Sequence, residues 1–369
     1  MNKYKELEHK AAGHDGTLTD DEGLLVFKPA LTQEIDFYKA VHQLSTASNA
    51  DDSFSNGDVP LYSWMPTFLG VLDEGTTTTT TESDGAAVPQ YVLEDPHMDS
   101  TILKQVVEDT DKITLNKKKY IVLENLLHGF KKPNVLDIKL GKILYDENAT
   151  ADKRQRLTMV SNTTTSSTLG FRICGMKIRQ NSVTDYLSQD HYENDFNNYV
   201  FINKKFGRTR TQKDIKDAFK LYFGADTLSK ERISSLLTIF LQRLQLFYNT
   251  LLNQEIRMIS SSLLFIYETD SDRWDILNNE DSMLRDNFLQ SDDDDDDDDD
   301  DDEYEGEDNE VLTAKNSRLK HSQLSSMSLI DFAHSKFTPG QGYDENVIEG
   351  VESLIQKFKD LIEDHNGTL

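Results

Sequence analysis

The segment Pro133-Asn-Val-Leu-Asp-Ile-Lys-Leu-Gly141 decides the reading of this chain. Asn134 to Ile138 reads as a short strand, and in an extended strand side chains two residues apart share a face. Asp137 and Lys139 therefore point the same way, which lets an acid and a base share one pocket. A carboxylate so placed can orient or deprotonate an attacking hydroxyl, and a lysine can neutralise charge on a transferring phosphoryl group. The bland alternative is an Asp-Lys ion pair on a solvated strand.

Upstream, Gly23-Leu-Leu-Val-Phe-Lys28 reads as a strand ending in a lysine, and Thr32 to Leu44 as a helix with Ile35, Tyr38 and Val41 on one face. Asp73 to about Lys117 turns to Thr, Gly, Ser, Asp and Pro and reads as a flexible insertion. Lys119 to Leu127 reads as a strand. Downstream, Thr150 to Val160 is a predicted helix carrying Lys153, Arg154 and Arg156. A low-complexity patch follows at Ser161 to Thr168. Phe201 to Gly207 and Ala218 to Phe223 are short apolar pieces. Lys230 to Met258 has the strongest helical periodicity, with Leu237, Phe240, Leu244, Phe247 and Leu251 close to one face. Ser260 to Tyr267 and Ser328 to His334 read as strands. Glu345 to about Glu363 closes the chain as a helix, and no internal repeat is seen.

A two-lobe nucleotide kinase needs a strand lysine for phosphates, a helix acid to hold it, a hinge strand for adenine and an acid for the metal. Lys28, Glu34, Glu124 to Leu126, and Asp331 in Ile330-Asp-Phe-Ala offer these parts in that order. The last resembles the Asp-Phe-Gly metal site of protein kinases, with Ala for Gly. Singly, each has a structural explanation, since a lysine at a strand end is usually solvated and Asp before Phe is common. A Walker A loop is absent, which excludes the P-loop route to ATP, and no His-Arg-Asp catalytic loop marks an ordinary protein kinase.

The formal charge of -27 is concentrated: residues 292–310 hold sixteen acids and no Lys or Arg. A net negative body argues against nonspecific nucleic-acid or membrane-surface binding, so an anionic substrate needs a local basic pocket. The Asp292 to Asp302 run reads as disordered, with an interaction role or a solvated loop as alternatives. One cysteine, Cys174, fits a reducing compartment. No stretch approaches a membrane span, and the N-terminus lacks an apolar signal core.

Pro133-x3-Asp137-x-Lys139-x-Gly141 resembles the signature of the inositol polyphosphate kinase family. Gly13-His14-Asp15-Gly16, Glu124-Asn-Leu-Leu-His-Gly-Phe130, Leu169-Gly-Phe-Arg-Ile-Cys-Gly-Met176, Ser260-Ser-Ser-Leu-Leu-Phe265 and Ile330-Asp-Phe-Ala-His-Ser335 are similar to that family in its own order. The resemblance implies a two-lobe α+β kinase-like fold with low-complexity insertions. Its N-lobe would cover residues 1–123 and its C-lobe 124–369, with an acidic disordered insertion at about 276–326.

The same resemblance implies ATP and Mg2+ as cofactors, with Lys28 and Glu34 at the phosphates and the backbone of Glu124 and Leu126 at adenine. Asp331 would hold the metal together with Ser262, and Asp137 would meet the nucleotide or the acceptor hydroxyl. Pro133, Lys139, Gly141, Lys153, Arg154, Arg156 and His334 would face the substrate. Soluble inositol polyphosphates are the implied acceptors: the 1,4,5-trisphosphate and the tetrakisphosphate made from it, at the 6- and 3-hydroxyls, up to the pentakisphosphate. A phosphoinositide lipid is a further candidate acceptor. The rival reading is a non-catalytic nuclear scaffold whose acidic loop binds MADS-box and other transcription factors, with nuclear and also cytoplasmic residence and a part in arginine-responsive gene control.

Overall fold

The computed structural model describes residues 4–7, 16–48, 59–75, 90–93, 119–286, 288 and 323–367. The chain first builds an antiparallel sheet from β1 (Tyr4–Glu6), β2 (Leu18–Asp20), β3 (Leu25–Pro29), β4 (Phe68–Gly75), β5 (Gln90–Leu93) and β6 (Tyr120–Glu124), in the order β1-β2-β3-β6-β4-β5. Alternation along β3 fixes which way its lysine faces. Leu25 and Phe27 join Leu69, Leu72, Tyr120 and Val122 on one side, while Val26 enters the main core. Lys28, two residues past Val26, shares the inward face.

Helix α1 (Thr32–Ser48) follows β3 and buries Ile35, Phe37, Tyr38 and Val41 against Trp64 and Phe68, an apolar stripe at helical spacing. A single turn at Leu61–Trp64 ties this half to the other. Trp64 packs edge-on against Phe247 at 5.3 Å, and its indole N–H donates to Thr250 Oγ1 at 3.0 Å.

The second antiparallel sheet has the order β13-β12-β7-β8-β10-β9. Its strands are β7 (Pro133–Leu140), β8 (Phe171–Arg179), β9 (Tyr192–Asp195), β10 (Tyr199–Ile202), β12 (Ser262–Glu268) and β13 (Ser325–Ile330); β11 (Ile256–Met258) pairs instead with β14 (Ser335–Phe337). β7 is central, between β12 and β8. Its even residues Leu136, Ile138 and Leu140 enter the main core, and Val135, Asp137 and Lys139 take the opposite face.

Between these strands run α2 (Ala151–Asn162), α3 (Thr165–Leu169), α4 (Lys204–Thr209), α5 (Ile215–Tyr222), α6 (Lys230–Leu252) and α7 (Ser271–Ile276); α8 (Glu345–Gly367) closes the fold. Helices α6 and α8 back the sheet through Phe240, Phe265 and Phe358, the last two stacked at 5.8 Å. At Gly350 the backbone of α8 comes so close to Gly170 that an added Cβ would lie 2.3 Å from the Gly170 carbonyl oxygen. Gly350→Ala is therefore expected to destabilise by about 1–3 kcal/mol, read as a lower midpoint in thermal or urea unfolding.

Several boundaries differ from the sequence reading. The helix expected to reach Met258 stops at Leu252, because Asn253 caps it and Ile256–Met258 pairs with Ser335–Phe337. The patch at 161–168 is ordered. Thr164 caps α3, Thr165 and Ser166 are buried, and Ser166 Oγ accepts a bond from Arg172 at 3.0 Å. The insertion expected from 73 begins later, since β4 runs to Gly75 and pairs with Gln90–Leu93. The acidic insertion expected over 276–326 is narrower, because residues 276–286 and 323–326 are built into the fold. The remainder of both insertions, the Asp292 to Asp302 run and Gly13 to Asp15 lie outside the described residues.

Candidate active site

Lys28 reaches from β3 to two carboxylates, with Nζ 2.7 Å from Glu34 Oε1 and 2.7 Å from Asp331 Oδ1. Burial opposes its charge, but the two acids outweigh burial and raise its pKa, so Lys28 stays a cation. Glu34 sits in the first turn of α1, and its Oε1 also accepts the backbone N–H of Phe332 at 3.1 Å.

Phe332 is fully buried and stacks on Phe37 at 5.0 Å, which locks the residue after Asp331 against α1. Asp331 itself has a φ of 66°, the left-handed region that a non-glycine residue adopts at a cost. That turn swings its carboxylate off the end of β13 toward Lys28. Three elements distant in sequence thus meet at one ammonium group.

Across from them, Asp137 is buried, and its Oδ1 finds no hydrogen-bond partner. Burial pushes its carboxyl up to about 6; Lys139 opposes the rise, Asp331 adds to it, and Ser262 and Arg172 oppose it. Lys139 does not bond Asp137. Its Nζ donates to the carbonyl of Ser260 at 2.6 Å, so the ion pair that was the bland alternative is not formed and the lysine is held by backbone.

Ser262 lies opposite Lys139 in the register and is fully buried, with its hydroxyl near enough to the Asp137 carboxyl to oppose the rise in its pKa. The buried Asp137 Oδ1, left without a partner and close enough to Asp331 to feel its charge, is a group that a bound cation or its water would satisfy. No cluster of three or more metal-ligating side chains exists among the described residues. Mg2+ takes one or two carboxylates and completes its shell with phosphate oxygens and water, and Asp331 and Asp137 are carboxylates near one another.

The hinge also has the makings of a nucleotide edge. β6 ends at Glu124, and Leu126 packs over a small apolar floor of Val135 and Ile266 together with Leu127, Phe130 and Leu264. Glu124 turns its side chain away, where Oε2 accepts the Thr67 N–H at 3.0 Å. Downstream, Glu268 accepts from the backbone N–H groups of Lys131 at 2.6 Å and Lys132 at 2.9 Å, which fixes the exit of the hinge.

The expected substrate residues are not all brought together. Pro133 and Gly141 stand at opposite ends of β7, eight residues or roughly 26 Å apart along a strand, too far to touch one inositol phosphate. Pro133 belongs to the hinge end. Gly141 has a φ of +96°, and a Cβ there would lie 2.5 Å from Asn346 Nδ2, so it shapes the turn that Asn346 holds through Lys142 and Ile143.

Lys153, Arg154 and Arg156 line an outward-facing helix. None bonds Asp137 or Lys139, while Arg154 lies over the Tyr145 ring at 5.2 Å. His334 Nδ1 is 2.6 Å from Asp146 Oδ2 and faces a cavity of about 680 Å3 with Tyr145 and Lys336, beyond the open end of β7.

Sequence reasoning left two basic residues without roles. Arg172 lies opposite Lys139 and Lys177 opposite Val135, both mostly buried, and Lys177 is 2.5 Å from Asp195. A β-bulge between these pairings, at Asp137/Ile138, lets β8 aim both at the β7 face. The signal was present: charged residues inside an otherwise apolar strand are costly unless used. Lys139 and Arg172 make a local cationic face on a net negative protein, while the charge of Lys177 is met by Asp195.

A family model described as inositol polyphosphate kinase matches residues 120–359. The chain is 54% identical over 363 residues to the inositol polyphosphate multikinase of Saccharomyces cerevisiae, covering 97% of this chain and 98% of that one. Identity to the Schizosaccharomyces pombe inositol polyphosphate multikinase is 29% over 360 residues, covering 98% of each. Among solved structures, the S. cerevisiae inositol phosphate multikinase Ipk2 in complex with ADP and Mn2+ superposes with a TM-score of 0.66 at 45% identity, covering 92% of this chain and 99% of that one.

Proposed function

For a chain that belongs to the inositol polyphosphate kinase family, we propose a multikinase that phosphorylates inositol 1,4,5-trisphosphate and the resulting tetrakisphosphate at the 6- and 3-hydroxyls. The enzyme is an inositol polyphosphate multikinase, with ATP as donor and a divalent cation as cofactor. The observation that carries the site assignment is Lys28 held at 2.7 Å by both Glu34 and Asp331, with Asp331 close enough to a buried Asp137 to help raise its pKa.

In this reading Lys28 binds phosphate oxygens of ATP, and Glu34 keeps it aimed. Asp331, with Ser262 beside it, would hold Mg2+, which would supply charge neutralisation at the ATP phosphates. Glu124 and Leu126 offer backbone groups to adenine over the Val135 and Ile266 floor. Asp137 orients the acceptor hydroxyl and takes its proton as the phosphoryl group transfers in line. Lys139 is placed to meet charge on the acceptor, and Arg172, opposite it in the register, extends that cationic face. His334 and the helix with Lys153, Arg154 and Arg156 form the outer rim.

The test is incubation of the full chain with ATP, Mg2+ and inositol 1,4,5-trisphosphate, followed by isomer-resolved product analysis. The pentakisphosphate should accumulate through a tetrakisphosphate, and no higher phosphorylated product would defeat the reading. Lys153→Ala and Arg156→Ala test the rim. Each is expected to raise KM for the inositol phosphate by about threefold to tenfold with little change in KM for ATP, as partly exposed charge pairs do. Deleting residues 291–310 is expected to leave both constants within about twofold, since the run repels anions and should stay clear of the cleft. Loss of transcription-factor binding in that deletion, with kinase activity kept, would support a second role for the acidic run.

A further inference from the structure

Residues 281–286, with Phe288 beyond them, reach from the second sheet to the first beside the hinge, and both ends of this strap are tied down. On the side of the second sheet, buried Arg243 donates to the carbonyls of Ser282 at 2.5 Å and Met283 at 2.9 Å. Asp281 Oδ1 accepts from the N–H groups of Leu324 and Ser325, each at 3.1 Å. On the other side Phe288 packs against the outer cluster of Leu25, Phe27, Leu69 and Leu72.

Between these anchors Arg285 points inward. Its guanidinium forms an ion pair with Glu124 and donates to the Met65 carbonyl at 2.6 Å. Both side chains are largely buried, at 14% and 7% exposure, so neither charge has water to fall back on. Glu124 is also the acceptor for Thr67, from the backbone N–H at 3.0 Å and from the hydroxyl. The last residue of β6 is thereby held through its side chain by two partners, one on β4's approach and one on the strap.

We propose that Arg285 is a positioning residue for the nucleotide: by neutralising Glu124 it fixes the end of β6, and with it the backbone at 124–126 that faces adenine. This rests on the assignment of those residues to adenine made above. A buried carboxylate that loses a paired cation must reach for water or take up a proton, and either response moves the strand end. Because the segment around Arg285 belongs to the stem of the acidic insertion, that stem is part of the nucleotide site's support.

Arg285→Ala is expected to weaken binding of ADP with Mg2+ to the full chain, measured calorimetrically, by about tenfold, the scale of a displaced hydrogen-bonding edge. KM for ATP should rise in step, with kcat and KM for the inositol phosphate within about twofold. Arg285→Lys keeps the charge but loses the planar fork, and should weaken ADP by an intermediate factor; it serves if the alanine variant does not fold. Arg232→Ala, which removes an ion pair to Asp275 on α7 away from the hinge, should leave ADP affinity unchanged. Wild-type ADP affinity in Arg285→Lys, with or without a lowered melting temperature, would reduce Arg285 to a brace between the sheets and overturn the proposal. Failure of the wild-type chain to bind ADP would overturn the adenine assignment itself.

Discussion

Asp137→Asn should lower kcat by about a hundredfold to ten-thousandfold, the range lost with a general base, while the protein becomes more stable. The two effects have one cause. Asp137 is buried with an unpaired Oδ1, and its carboxyl is pushed from an ordinary 3.8 up to about 6, chiefly by burial. The folded protein therefore binds that proton more tightly than the unfolded chain does. Stability contributed by the neutral form is full below about pH 4, falls as pH rises toward about 6, and is gone above.

Asparagine is neutral at every pH, so the nucleotide-free and metal-free variant should gain about 1–3 kcal/mol over wild type at pH 7. That gain should vanish near pH 4. Chemical unfolding at the two pH values, run beside a steady-state assay, checks both halves. An active variant would remove Asp137 from the chemistry, and an inactive variant no more stable than wild type would mean that its charge is already compensated.

How much of this site could be read without coordinates depends on where each residue's partner comes from. Lys28, Glu34 and Asp331 were legible because each occupies a punctuated place: a strand end, the first turn of a helix, the acid after an apolar run. Order along the chain then suggested that they meet, and Lys28 does bond both acids. Arg285 was not legible. It stands in a polar stretch before an acidic run, and one of its partners, the Met65 carbonyl, is 220 residues away.

Composition was uninformative at residues 161–168, where Thr and Ser read only as a low-complexity patch. Small hydroxyls there cap α3 and receive buried Arg172, a use of polar side chains that hydropathy does not register. Periodicity misled at 253–258, because the apolar residues of β11 continue the helical pattern of α6 by chance. Pro133 and Gly141 were grouped because they share a motif, but on a strand a motif is a line and only part of it can face one ligand.

Replacing Asp331 by Asn should cost more than any substitution on the rim, with kcat reduced by about a thousandfold or more, because charge stabilisation at the transferring group is the largest single contribution in such sites. Two losses coincide in that one residue. In the proposed site this carboxylate is the acid for the metal, since Glu34 is spent on Lys28 and the Phe332 N–H, and Asp137 is given to the acceptor hydroxyl. It is also one of the two anions that keep buried Lys28 charged. In the asparagine variant Lys28 retains Glu34 at 2.7 Å, so the lysine should stay in place and the fold should survive.

Nucleotide binding offers the discriminating measurement. Asp331→Asn should abolish the enhancement of ADP affinity by Mg2+ while leaving metal-free ADP binding within about threefold, whereas Lys28→Met should weaken ADP with and without metal. The double variant should be little worse in kcat than Asp331→Asn alone, because residues that act through one phosphoryl group do not contribute independently. Full additivity of the two losses would mean that Lys28 and Asp331 serve separate events, and the 2.7 Å contact between them would then describe only the resting protein.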